Sequence, residues 1–324
     1  MATPVIPAKL FHVAYHDVRP ESCVFTKWIN STIAPAEFED HMRQLQEIGS
    51  VCPAEDFLSG QIREDELDRP HFVVWFDDAF QGVAEHAFPI CQSLGIRPTV
   101  AVTSAIVNRQ ERFWRCELSY LLERMSPEAL NRELFPNGEN ATTDARQIWR
   151  ETLENYDRDL RERMRELFEH RSNADEQQQV ADVFMTDEQV AHVTRNGWAL
   201  TNHSATHPAI TPNLKLESTL QDFRACSEYL TPLGGSHDVW VVPFDYGLVR
   251  EEVGRLTERL LRECGTLVRA HYLDTVRERE VFRVSIHAGR EIRHQIADAI
   301  GLTQPSRARR FWRRIRRWAR RATN

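Results

Sequence analysis

Two clusters of ionisable side chains stand at the ends of apolar runs. In 73-VVWFDDAFQGV-83, four apolar or aromatic residues lead directly into the adjacent carboxylates Asp77 and Asp78. Neighbouring acids repel, and charge at the rim of a core is costly unless it is paired or bound to a cation. In 198-WALTNHSATHPAI-210, a second apolar run ends in His203 and His207, four residues apart. That spacing lets both imidazoles face one point. Pro208 disfavours helical backbone at His207, so the pair belongs to a loop or a single turn. One carboxylate and two imidazoles form a three-ligand set with open positions, suited to zinc or another divalent ion. Such a cation compensates one acid of the pair and leaves the other free beside it. The chemistry this fits is metal-assisted hydrolysis, with the free carboxylate taking a proton from the attacking water. The residues alone leave open which acid has which role. H-x-x-x-H by itself is a weak signal, and D-D at a second strand end makes it much stronger.

Something must hold these ends together. Short apolar, β-branched or aromatic runs predict strands at Phe11–Tyr15, Phe72–Phe76, Thr99–Thr103, Trp198–Thr201, Val239–Val242, Thr266–Arg269 and Val281–Ile286. Amphipathic helices are expected between them. One begins at Pro35, with Phe38, Met42 and Leu45 at helical spacing, and one runs from near Ala79 to Gly95. Others cover Asp187–Arg195, Leu216–Leu230 and Arg250–Cys264. The alternation predicts a parallel α/β sheet or barrel with its active groups at the C-terminal ends of the strands. Residues of about 115–185 break the alternation. Acids and arginines recur there at i,i+4, which predicts a solvated helical insertion acting as cover, without chemistry of its own.

Composition narrows the class. The chain has 324 residues, 41% hydrophobic and 27% charged, as a globular protein does. It has no apolar run long enough to span a bilayer. The first residues, MATPVIPAKLFHVAY, show no basic segment followed by an apolar one, so a cytoplasmic chain is expected. The six cysteines are scattered without a C-x-x-C pair, and free, buried thiols in a reducing compartment are expected.

With these residues in view, the sequence resembles the polysaccharide deacetylase family, also called the NodB-homology or carbohydrate esterase family 4 domain. The family's T-F-D-D-G motif is similar to Trp75-Phe76-Asp77-Asp78-Ala79, and its H-[ST]-x-x-H motif to His203-Ser204-Ala205-Thr206-His207. The stretches 11-FHVAYHDVRP-20, 87-AFPICQSLGIRPTVAVTS-104 and 186-TDEQVAHVTRNGWALTNHSATHP-208 match the flanking patterns. The resemblance covers about 11–114 and 184–247. It implies a distorted (β/α) barrel, commonly of seven strands, and hydrolysis of N-acetyl or O-acetyl groups on sugars. It also implies that Asp77 is the general base and that Asp78, His203 and His207 hold the metal, most simply zinc, with cobalt, nickel or manganese as alternatives.

The chain departs from the family pattern in places. Where the family often has R-x-P-Y, it reads 240-WVVPFDYG-247, with Val241 at the position of the arginine; it resembles a branch that lacks this motif. Phe244 is expected to offer its backbone N–H to an oxyanion. Asp245 reads as a surface turn. Ala79 stands where the family has glycine, and the tryptophan-containing fourth motif is missing. The family's closing histidine, its general acid, corresponds to His287 in 283-RVSIH-287, with Val284 at the usual leucine. His16 ends the first strand and is expected to line the pocket.

The expected organisation is a barrel domain over 1–300, carrying the insertion, and a tail over 301–324. The tail is distinctive. Nine arginines and no acid lie in 306-SRARRFWRRIRRWARRATN-324, so the rest of the chain is more acidic than the net charge of −7 suggests. Phe311, Ile315, Trp318 and Ala322 form one apolar stripe at helical spacing. A basic amphipathic helix with tryptophan suits an anionic membrane surface. Nucleic acid is disfavoured, because no recognition fold accompanies the charge. The combined expectation is a deacetylase on the inner face of a membrane. It would act on a lipid-linked or nucleotide-linked amino sugar during assembly of lipopolysaccharide, capsule or exopolysaccharide. Two rivals are a metal-binding protein that has lost turnover and a hydrolase of non-sugar amides.

Overall fold

The computed structural model describes residues 4–136, 142–211, 213–244, 250–269 and 279–302. Asp245 and the arginine-rich tail lie outside the described residues. Seven strands form a closed parallel barrel: β1 (Leu10–Tyr15), β2 (His71–Asp77), β3 (Thr99–Val102), β4 (Ala199–Asn202), β5 (Val239–Val241), β6 (Thr266–Arg269) and β7 (Glu280–Ser285). Each strand pairs with its sequence neighbours, and β7 pairs with β1 to complete the ring. The β4–β5 seam is the weakest, registered only at Asn202 and Trp240. Outside the ring, the two-residue strand Ser50–Val51 adds to β2, and Asp17–Val18 pairs with Thr32–Ile33.

The strands alternate between two apolar environments, as the two-residue period requires. Val13, Tyr15, Phe72, Val74, Phe76, Val100 and Val102 face the surrounding helices. Ala14, Val73, Trp75, Ala101, Val239, Val241, Val268 and Val281 form a separate cluster inside the ring. Most interior side chains are small, so one tryptophan fills much of the space. The alternation carries on to Asp77 at the top of β2 and His203 just past β4.

The helices follow their patterns. Pro35 opens the helix Pro35–Ile48, which buries Phe38, Met42 and Leu45. Thr186 and Gln189 form a capping box at the start of Asp187–Arg195. The helix expected from Ala79 begins later. Asp78 and Ala79 adopt left-handed backbone, φ 70° and 58°, and helical structure follows at Val83–Ala87 and Phe88–Ser93. Gly95, at φ 68°, ends it.

Among the described residues, six helices lie between β3 and the helix before β4: the short Ser104–Val107, then Trp114–Arg124, Pro127–Leu134, Ala145–Glu154, Arg158–Arg171 and Ala174–Asp182. Their apolar faces join the main core through Trp114, Leu118, Leu130, Ile148, Met164 and Phe168. A buried acid, Glu117, sits between Arg112 at 2.7 Å and Arg161 at 2.6 Å. These helices are continuous with the barrel core, and their first residues reach the mouth of the barrel.

Candidate metal centre

Asp78, His203 and His207 converge at the C-terminal end of the barrel, all buried. Asp78 Oδ1 lies 3.4 Å from His203 Nε2 and 3.1 Å from His207 Nε2. The two Nε2 atoms are 3.2 Å apart. Four ligands around a tetrahedral cation, with bonds of ~2.0–2.1 Å, are about 3.3–3.4 Å from one another. The three atoms therefore have the spacing that a small divalent ion needs. Two further observations support the fit. Apart from the two imidazoles, buried Asp78 Oδ1 has no polar partner among the described residues, so a cation shared by all three atoms would complete its surroundings. The Nδ1–H of His203 donates to the carbonyl of Val241 at 2.8 Å, which leaves the Nε2 lone pair directed at the site.

The backbone is bent to make this happen. Asp78, Ala79, Ser204 and His207 all have positive φ, from 54° to 70°, although none is glycine. Each such residue costs about 1 kcal/mol or more. Surrounding bonds hold them there. Thr103 Oγ1 donates to the carbonyl of Asp78 at 2.9 Å, and the N–H of Met185 donates to the carbonyl of Ala79 at 2.9 Å. In the histidine loop, the Asn202 side chain accepts from the N–H of Ser204 at 2.8 Å. Asp222, on the helix Leu216–Leu230, accepts from the N–H groups of Ala205 and Thr206 at 3.0 and 3.2 Å and from Thr206 Oγ1 at 2.8 Å.

His207 is held differently from His203. Its Nδ1 has no partner among the described residues. Its ring is instead gripped edge-on by Phe113 and Phe244, both with centroids 4.9 Å away. Trp114 Nε1–H donates to its carbonyl at 2.9 Å. The start of the insertion thus braces a candidate ligand, a contact its solvated sequence pattern did not announce.

Asp77 stands beside this set but is engaged elsewhere. Both its oxygens are taken by Arg283 on β7, Nη1 to Oδ1 at 2.5 Å and Nη2 to Oδ2 at 2.8 Å. Burial alone would raise the pKa of Asp77, but the charges of Arg283, His203 and His16 outweigh it and lower the value. Asp78 is driven well below the usual carboxylate range, because the two histidines outweigh its burial. Burial also opposes a charged His203, yet Asp77 and Asp78 together raise its pKa. At His207 burial prevails and the pKa falls.

The remaining expected residues lie around the mouth. His16 Nε2 is 3.9 Å from Asp77 Oδ2, with its side chain 28% exposed. His287 is exposed on the loop after β7, its backbone clamped by Gln295 through bonds of 2.8 and 2.9 Å. The Phe244 ring packs on His207 and Trp114, and its carbonyl accepts from the N–H of Ile210. Val241 is buried inside the barrel and contributes only its carbonyl. Sequence reasoning missed Arg283, Asp222 and Trp114. The one signal for Arg283 was alternation, which puts it on the strand face of Val281, but its charge argued against burial there.

Neither a protein-family model nor a curated protein sequence matches this chain. Solved structures do. IcaB from Ammonifex degensii aligns at a TM-score of 0.54 and 16% identity, over 90% of this chain and 96% of that one. The Streptococcus pyogenes deacetylase PplD, in complex with acetate, aligns at 0.54 and 12%, over 91% and 99%. A de-N-acetylase from Aggregatibacter actinomycetemcomitans aligns at 0.50 and 15%, over 85% and 94%. At these identities the likeness establishes a shared fold, a barrel of the deacetylase type. Among the described residues, no helix is long and apolar enough to cross a membrane.

Proposed function

We propose that the chain is a metal-dependent hydrolase that removes an acyl group, acetyl in the simplest case, from an amino sugar or saccharide by cleaving a C–N bond other than a peptide bond. One observation carries the reading: three buried ligand atoms converge at ion spacing, beside a second carboxylate that is held out of the ligand set. Asp78, His203 and His207 would hold the ion, with zinc the simplest choice for a nitrogen-rich three-ligand site. When bound, it would supply Lewis acidity toward an acyl oxygen and a water. Asp77, ionised by Arg283, accepts the proton of that water as general base. Phe244 contributes its backbone to the oxyanion side. A protonated imidazole at the mouth donates its own proton to the leaving amine, and the proton taken by Asp77 passes to solvent when the site resets. His287 fills this role in the proposal, while His16, beside Asp77, lines the pocket. The arginine-rich tail favours a lipid-linked substrate at an anionic membrane face over a small soluble amide, and assembly of cell-surface polysaccharide is the process that offers one. The deacetylase folds aligned above support the acyl-sugar class.

The test is acetate release from N-acetylated nucleotide sugars and lipid-linked saccharides by the purified chain, before and after chelation and after reloading with zinc, cobalt, nickel or manganese. Activity lost on chelation and recovered on reloading is expected. A metal-replete protein inert on every acylated sugar would overturn the reading in favour of a metal-binding protein without turnover.

A further inference from the structure

Asp77 and Asp78 are adjacent acids at the rim of one cation site, yet only Asp78 faces it. Asp77 Oδ2 lies 4.0 Å from His203 Nε2, close enough to reach the same ion after a small rotation. A carboxylate near a divalent ion gains by coordinating it, so something must hold Asp77 off. The structure assigns this task to Arg283: we propose that it is a positioning residue that keeps Asp77 out of the metal's coordination sphere and so divides the work between the two acids.

Arg283 is built for that role. Its side chain is fully buried inside the barrel, and its two terminal nitrogens each engage one oxygen of Asp77, at 2.5 and 2.8 Å. The guanidinium fork matches a carboxylate in this bidentate way and fixes its orientation as well as its charge. Trp75 supports it from within the ring, 5.8 Å from the guanidinium carbon to the ring centre. β7 places it across from His12 on β1, in register. A cation inside a narrow apolar barrel is expensive without a partner, and Asp77 is the acid that the structure aims at it. Were Asp77 free to coordinate, a fourth protein ligand would fill a position that substrate and water need, and a second negative charge would weaken the ion as a Lewis acid.

The inference rests on the metal site and base proposed above, and cobalt separates the two. Cobalt(II) bound to the wild-type chain gives a d–d absorption spectrum that reports ligand number. In Arg283→Gln, the released Asp77 is expected to join the ion. The spectrum should shift toward higher coordination, cobalt should bind at least as tightly, and kcat should fall ~100-fold with little change in KM. Asp77→Asn/Arg283→Gln removes the intruding carboxylate and should return the wild-type spectrum. Arg283→Lys keeps the charge but loses the fork, so a partial shift is expected; it also carries the test if the glutamine variant does not fold. Unchanged cobalt spectra in Arg283→Gln and Arg283→Lys would overturn the inference and leave Arg283 as an ordinary buried ion-pair partner. A wild-type chain that bound no cobalt would overturn the site reading itself.

Discussion

Asp77 and Asp78 are identical in chemistry and opposite in attachment. The ring of Arg283 contacts fixes one, and two imidazoles meet the other. Asp77→Asn keeps the shape of the first and should leave metal content unchanged while hydrolysis falls ~100-fold or more, the scale of losing a general base. Near-normal turnover in that variant would mean that Asp77 only orients a neighbour. His203→Ala should do the reverse. It deletes one of the three proposed ligands, and metal retained after dialysis should drop steeply by elemental analysis. Full occupancy would exclude His203 as a ligand. The contrast between the two variants is the content of the assignment, because a merely structural pair of buried acids would not separate metal binding from turnover.

At the scale of elements, Asp222 clamps the loop that carries both histidines, through the N–H groups of Ala205 and Thr206 and the hydroxyl of Thr206. Asp222→Ala keeps both imidazoles but loosens their support. Metal affinity measured by titration should fall ~10–100-fold, and an unchanged affinity would show that Ser204 and Trp114 suffice. The strands were legible because both faces of a parallel barrel strand are buried, so each reads as a short apolar run closed by polar residues. That gave all seven to within about two residues at each end. The convergence of Asp78, His203 and His207 was legible for a related reason: each followed such a run. Arg283 was not. An arginine within an apolar strand argues against burial, and the acid that reverses the argument is 206 residues away along the chain. The late start of the helix after Asp78 was hidden as well. Left-handed φ at Asp78 and Ala79 is imposed by bonds to Thr103 and Met185, not by local propensity. The insertion read as helical because i,i+4 charge pairs are local, whereas its grip on His207 depends on tertiary docking.

The whole molecule carries two predictions, one from its interior and one from its charge distribution. His12 lies inside the barrel, accepts from Trp75 Nε1–H at 3.1 Å, and has its pKa pushed down to about 3 by burial and then by the charge of Arg283. Its unfolded value is ~6.5. As pH falls below that value the unfolded chain takes up a proton that the folded chain refuses, so stability is lost progressively between pH ~6.5 and the folded value. Asp77 and Asp78, with lowered values, begin to cost stability only as pH falls through the unfolded carboxylate value of ~3.9, at the acid end of this window. His12→Gln keeps an acceptor for Trp75 but cannot titrate. Urea unfolding at pH 7 and pH 4.5 should show the variant losing less stability than wild type, by roughly 2 kcal/mol; equal losses would remove His12 from the acid response. The second prediction concerns the end of the chain. Nine arginines over nineteen residues must face solvent or anions, while Phe311, Ile315 and Trp318 need an apolar surface. An anionic bilayer meets both demands, at roughly 1 kcal/mol for each basic residue near the surface, plus apolar burial. The intact chain should co-sediment with anionic vesicles at low salt and be partly released as salt rises. A chain ending at Gln304 should remain in the supernatant and keep its activity on a soluble substrate analogue. Equal binding by the two chains would end the membrane role of the tail and point the apolar stripe toward the barrel or a second subunit instead.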